Sequence, residues 1–104
     1  MAEKVETILR RSVLNTRPRD FYDVYKIIKT QGHAISRDTF VSALSATVIK
    51  RMSLVALQNK DQILLSIKSD RIMRQRWDHY CKENSYANGI AFDEVIEVLV
   101  DIVN

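Results

Sequence analysis

Glycine and proline are scarce: Gly32, Gly89 and Pro18 are the only ones in 104 residues. A β-rich chain of this length needs turn residues far more often, so the scarcity points to helices. The two glycines also lie 57 positions apart, leaving no cluster from which to build a phosphate loop or a dinucleotide fingerprint. One cysteine, Cys81, excludes an intrachain disulfide framework and fits a reducing compartment. No apolar run approaches the roughly 18–20 residues that span a bilayer. The N-terminus lacks the apolar core of a signal peptide. The expectation is a cytoplasmic protein with no membrane partner. Soft metal ligands are limited to His33, His79 and Cys81, and the last two point to different sides of one helix. No metal site is expected of this chain alone, and neither histidine has the partners of a nucleophilic triad.

What is present describes a globular protein. Hydrophobic residues make up 46% and charged ones 28%, and a chain of this length suits one core, so residues 1–104 are expected to form a single domain. The formal charge of +3 is unevenly spread: residues 1–52 carry ten Lys/Arg against five Asp/Glu, residues 53–104 six against eight. A basic front half suits an anionic neighbour, nucleic acid or an acidic protein surface, or is simply a solvated basic face.

Apolar spacing predicts an all-α fold, an antiparallel bundle of about five to six helices. Val5, Ile8, Leu9 and Val13 mark the first helix, with Lys4 and Arg11, seven apart, on one flank of it. Pro18 suits the first turn of the second, where its missing N–H costs nothing, and Gly32 is a plausible left-handed stop. Phe21, Val24, Tyr25 and Ile28 make its apolar stripe. Ser36 is the expected N-cap of a third helix that reaches about Met52 and buries Phe40, Ala43, Leu44, Thr47 and Val48. After a less regular stretch, Ile63, Leu64 and Ile67 indicate a fourth helix from about Asp61. It continues or breaks at Ser69-Asp70, where Asp70 is placed to cap a helix carrying Ile72, Met73, Trp77 and Tyr80. Asn88-Gly89 punctuates the chain. A last helix presents Phe92, Ile96, Leu99 and Val103, with Asp93, Glu94 and Glu97 where the helix dipole favours acids. Trp77 and Tyr80 read as a core aromatic pair, Cys81 as an inert, partly buried thiol, and Met52 and Met73 as core gap fillers.

The densest polar cluster is Asn15-Thr16-Arg17-Pro18-Arg19-Asp20-Phe21-Tyr22-Asp23-Val24-Tyr25. Asp20 and Asp23, three apart on a helix, lie about 60° apart around its axis and flank the apolar stripe. They suit a polar site with Arg17 and Arg19 reaching phosphate, or a first-turn acid with an ordinary Arg19–Asp23 pair.

This cluster, following Ala2-Glu3-Lys4 and the helix Val5–Arg11, resembles the bacterial AbiEii/AbiGii family of nucleotidyltransferase-like toxins. The likeness continues through Ala43-Leu44-Ser45-Ala46-Thr47-Val48-Ile49-Lys50-Arg51, Trp77-Asp78-His79-Tyr80, Tyr86 and Ile90-Ala91-Phe92-Asp93-Glu94-Val95-Ile96, nearly the whole chain. The resemblance implies nucleotide transfer by the toxic half of a two-gene system used in phage defence by abortive infection. It implies Mg²⁺ and a nucleoside triphosphate for the full-length family, with the metal-binding carboxylates on a separate core after a Gly-Gly-Ser/Thr segment. Carried over, Lys4 contacts triphosphate, Asp20 and Asp23 complete the catalytic site, and Arg11, Arg17 and Arg19 bind substrate. Gly-Gly-Ser/Thr and an upstream Asp-x-Asp do not occur here. The expectation is therefore a truncated C-terminal helical domain, inactive alone, whose partners are an antitoxin or the missing N-terminal core. Truncation predicts uncovered apolar surface at Val5, Ile8 and Ile27, and a homodimer through the first helix. The alternative is a helical module that binds nucleic acid or protein through its basic half.

Overall fold

A computed structural model describes residues 2–11, 17–31 and 36–104, apart from the side chain of Arg37. Among these there are seven α-helices, one 3₁₀ turn and no strand. The helices are α1 (Ala2–Arg11), α2 (Pro18–Gln31), α3 (Arg37–Lys50), α4 (Leu54–Gln58), α5 (Lys60–Ser69), α6 (Arg71–Glu83) and α7 (Phe92–Val103), with the 3₁₀ turn at Ser85–Ala87. The all-α expectation holds. Val13, Asn15, Thr16, Gly32 and His33 lie outside the described residues.

The helix boundaries follow local chemistry. Pro18 is the first residue of α2, where no backbone donor is wanted. Ser36 caps α3 by accepting from the Thr39 N–H at 3.4 Å. The chain does break at Asp70: its carboxylate accepts from the amides of Ile72 at 2.8 Å and Met73 at 3.3 Å, ending α5 and opening α6 at one residue. α4 falls in the stretch read as irregular. It is a five-residue helix, too short to show an apolar period.

The turn from α3 to α4 has a specific geometry. The Ser53 N–H donates to the Val48 carbonyl at 2.9 Å and the Met52 N–H to that of Ile49 at 3.2 Å. This is a Schellman-type stop, with Met52 taking the left-handed position at φ 57° that usually belongs to glycine. Met52 is 92% exposed, so the core role expected for it is wrong, whereas Met73 is buried. A residue standing in the left-handed bend of a surface turn is directed away from the core.

Five residues of α7 are buried: Phe92, Val95, Ile96, Leu99 and Val103. This helix packs against α2 and α5. Phe92 sits edge-on to Phe21 at 5.5 Å and near Trp77 at 6.0 Å, tying α7 to α2 and α6 through aromatic contacts. Trp77 donates its indole N–H to the Ile90 carbonyl at 2.9 Å, so its one polar atom is satisfied inside the core. α3 buries one residue per turn, Phe40, Leu44 and Val48. Ala43, expected inside, is exposed because only that narrow row faces the core. Gly89 supplies the φ of +92° needed in the turn before α7. The radius of gyration, 13.2 Å, is that of a globule of this length.

The sharpest correction concerns α1. Val5 and Ile8 were expected to be uncovered, yet they are 1% and 0% exposed. α1 packs chiefly on α3, with α2, α4 and α5 around it, so the chain covers this helix itself. Ile27 is half-buried. The stated reason for dimerisation through α1 is thereby removed.

Candidate functional site

Lys4 precedes the buried Val5 and therefore stands at the margin of the packed face of α1, 43% exposed. On α2, Phe21 and Val24 enter the core and leave Asp23 between them at the edge. Where the two helices meet, Lys4 Nζ donates to Asp23 Oδ2 at 3.0 Å. Arg19, one turn earlier on α2, brings its Nε to 4.0 Å from the same oxygen. Two residues of the family-like motifs, 19 positions apart, are thus joined with a third beside them.

The other carried-over residues stand further off. Asp20 is half-buried in the first turn of α2, and both cations at the site reach Asp23 instead of it. Arg17 is exposed just before the helix, its carbonyl accepting from the Asp20 amide at 3.1 Å. Arg11 ends α1 seven residues beyond Lys4, about 10 Å along the axis.

An aromatic wall adjoins the pair. Tyr22, the residue before Asp23, lies 4.8 Å from the Tyr86 ring and 6.3 Å from that of Tyr80. Tyr80 stacks on Trp77 at 5.7 Å, and its hydroxyl shares a 2.8 Å hydrogen bond with that of Tyr86. Burial pushes the Tyr80 phenol well above its ordinary range, helped by the Tyr86 hydrogen bond and the Asp23 charge and opposed by Arg19. Tyr80 is therefore neutral at physiological pH. Sequence reasoning had placed Tyr80 beside Trp77 but had not joined Tyr22 and Tyr86 to them. Their contact depends on the 3₁₀ turn returning to α2.

Glu6 was also missed. It is fully buried and accepts from Arg10 Nε through both carboxylate oxygens, at 3.2 and 3.3 Å, and from Arg51 at 3.1 Å. Arg51 additionally approaches Glu3 at 3.7 Å. The Glu6–Arg10 spacing was a visible signal. Arg51, 45 positions away, was not.

These pairings bear on the basic front half. Of its ten Lys/Arg, Lys4, Arg10, Arg19, Lys29 and Arg51 all form ion pairs within the chain. Lys29 reaches Glu94 at 3.8 Å, and Tyr25 donates to the same carboxylate at 2.9 Å. Burial and that carboxylate both raise the Tyr25 pKa. Glu94 at the start of α7 thus answers one cation of the basic half, while Arg74 on Asp93 and Lys68 at 3.9 Å from Glu97 are pairs within the second half.

The remaining residues weighed at the sequence level are quiet. His79 pairs with Glu83 one turn on, at 3.0 Å. Cys81 is half-buried, its thiol pushed up by burial and by Asp78, as befits an unreactive cysteine. The resemblance implies Mg²⁺, which proteins commonly hold through one or two carboxylates together with substrate phosphates. Among the described residues, no three His, Cys, Asp or Glu side chains gather as a metal-holding group, and Asp23 is already engaged by Lys4. Among the described residues no helix is long and apolar enough to cross a membrane.

Comparison with known proteins agrees with the motifs. A family model described as nucleotidyl transferase AbiEii toxin, type IV toxin–antitoxin system, matches residues 1–98. No curated protein and no solved structure matches. With nearly its whole length matched, including both helices that form the Lys4–Asp23 pair, the chain belongs to the AbiEii nucleotidyl transferase toxin family.

Proposed function

We propose that this chain acts as the helical, triphosphate-holding part of an AbiEii-type nucleotidyltransferase toxin, in which Lys4 is the phosphate contact. The carrying observation is the Lys4–Asp23 pair, with Arg19 beside it, at a partly exposed junction of α1 and α2. A pair this exposed is held by about 1 kcal/mol or less, so a triphosphate with several negative oxygens can displace the carboxylate from Lys4. Asp23 then keeps Lys4 extended until substrate arrives. Asp20, Arg11 and Arg17 are assigned the supporting positions. Transfer itself needs carboxylates that hold Mg²⁺, and the described residues supply no such set, so the chain alone is inactive. Its setting is the bacterial cytoplasm, as the toxic member of a phage-defence pair with an antitoxin.

Calorimetric titration with a nucleoside triphosphate at low salt tests the assignment. Lys4→Ala is expected to weaken binding about tenfold, the scale of one charge-assisted contact. Equal binding by wild type and Lys4→Ala sinks it. Incorporation of labelled nucleotide by the chain alone with Mg²⁺, abolished in Lys4→Ala, sinks the claim of inactivity. The basic-module alternative is not favoured, because Arg10, Lys29 and Arg51, outside the proposed phosphate site, are already paired internally.

A further inference from the structure

Between the start of α2 and the outer face of α6 lies a cleft of about 460 Å³. Its walls are Pro18, Ile72 and Tyr80, and its polar edge is Gln75, Arg76 and the His79–Glu83 pair. The sequence places it there for simple reasons. Met73 and Trp77 turn into the core and leave Ile72, Gln75, Arg76 and His79 outside. Pro18 starts α2 beside them, and among the described residues no side chain fills the space. Ile72 is 59% exposed, an apolar residue on a polar helix face.

The volume falls in the usual range of small-molecule sites. Two apolar walls and an aromatic ring suit a flat heterocycle, while an amide, a guanidinium and a carboxylate-paired imidazole at the edge suit its polar ring atoms. The cleft also adjoins the phosphate site. Tyr80 lines it and packs against Tyr22, the neighbour of Asp23, and Pro18 is bracketed in sequence by the exposed Arg17 and Arg19. Arg19, 79% exposed and only loosely paired, is free to swing toward a phosphate.

We infer that the Pro18–α6 cleft is a subsite for an unpaired nucleobase, whose ring lies against Tyr80 and Ile72 while its phosphates reach Arg19 and Lys4. The inference rests on the triphosphate role proposed for Lys4. The base belongs either to a nucleoside triphosphate or to a nucleic-acid acceptor, and both offer the same flat ring with an attached phosphate. Gln75 selects among bases because its amide both donates and accepts.

The test uses the neutral, surface-located double variant Ile72→Ser/Gln75→Ala, which leaves the charge near the phosphates unchanged. Wild type, this variant and Lys4→Ala are titrated with a nucleoside triphosphate, a single-stranded trinucleotide and inorganic tripolyphosphate. Trp77, the chain's single tryptophan and stacked on Tyr80, reports binding by fluorescence alongside calorimetry. The double variant is expected to bind at least one of the two base-containing ligands about fivefold or more weakly, the scale of one apolar face contact and one hydrogen bond lost. Tripolyphosphate binding should stay within about twofold, while Lys4→Ala weakens all three ligands. The base-containing ligand that loses affinity identifies the source of the base. If Lys4→Ala weakens every ligand but the double variant weakens none, the cleft is not a base site and the phosphate role stands. If wild type binds tripolyphosphate no better than Lys4→Ala, the phosphate role fails. A base-containing ligand still weakened by the double variant then supports the cleft on its own.

Discussion

Two of the carboxylates at α1, Glu6 and Asp23, are handled in opposite ways. Glu6, inside the packed face, is fully buried and answered by two guanidiniums; Asp23, from α2, meets Lys4 at the rim and keeps more than a quarter of its surface in water. The first is a cross-link between α1 and the end of α3. A carboxylate with no access to water has to keep its partners, so that junction is fixed. The second is a contact that solvent and ions can enter, as the role proposed for Lys4 requires. Burial, not the identity of the paired charges, separates a structural ion pair from a usable one.

The largest effect should come from removing a partner of the buried acid. Arg51→Ala leaves Glu6 with Arg10 alone and is expected to lower stability by about 3 kcal/mol, whereas Glu6→Met, which removes the buried charge, should cost much less. Urea unfolding of both variants at neutral pH measures the two; equal losses would mean that Glu6 behaves like the exposed Asp23 pair.

Next in size is a loss at high pH on the Asp23 side. The Tyr80 pKa is raised in the folded protein, so folding binds its proton more tightly than the unfolded chain does. The stability this contributes is complete below about pH 10, the ordinary tyrosine value, and falls as pH rises toward the folded pKa. The slope approaches about 1.4 kcal/mol per pH unit. Tyr80→Phe should flatten it. An unchanged alkaline slope in that variant would remove Tyr80 from the account.

A smaller effect, of opposite sign, is expected at the turn that delivers Arg51. Met52 holds a left-handed backbone with its side chain in solvent, so Met52→Gly should raise stability by about 1 kcal/mol and the melting temperature by about 4–8 °C. A loss of stability there would show that the Met52 side chain makes a contact of value.

The smallest effect belongs to the exposed pair. A double-mutant cycle on Lys4 and Asp23 should return a coupling below about 1 kcal/mol that fades as salt is raised. Coupling between Glu6 and Arg51 should survive the same salt. If the two couplings respond alike, the contrast between them fails.

What was legible in the sequence was local. Pro18, Ser36 and Asp70 announce helix starts because each acts on backbone groups within three residues of itself. Phe92, Ile96, Leu99 and Val103 announce a buried face because 3.6-residue spacing aligns them. The motif residues Lys4 and Asp23 were named from resemblance, and Arg19–Asp23 from its one-turn spacing. What failed was everything that depends on which surface returns to cover which. α1 looked uncovered because nothing within it reveals that α3, α4 and α5 close over Val5 and Ile8. Met52 looked like core because hydrophobicity carries no information about a left-handed turn.

The amino-acid sequence by itself therefore determined the helices other than α4, the caps at Ser36 and Asp70 and most of the residues that face inward, since those follow from short-range geometry and apolar period. Only the tertiary structure decided that Glu6 is sealed, that Lys4 meets Asp23, and that three tyrosines from α2, α6 and the 3₁₀ turn share one wall. Each of those joins residues far apart in the chain. Their proximity is set by how the helices pack, and no local spacing records it.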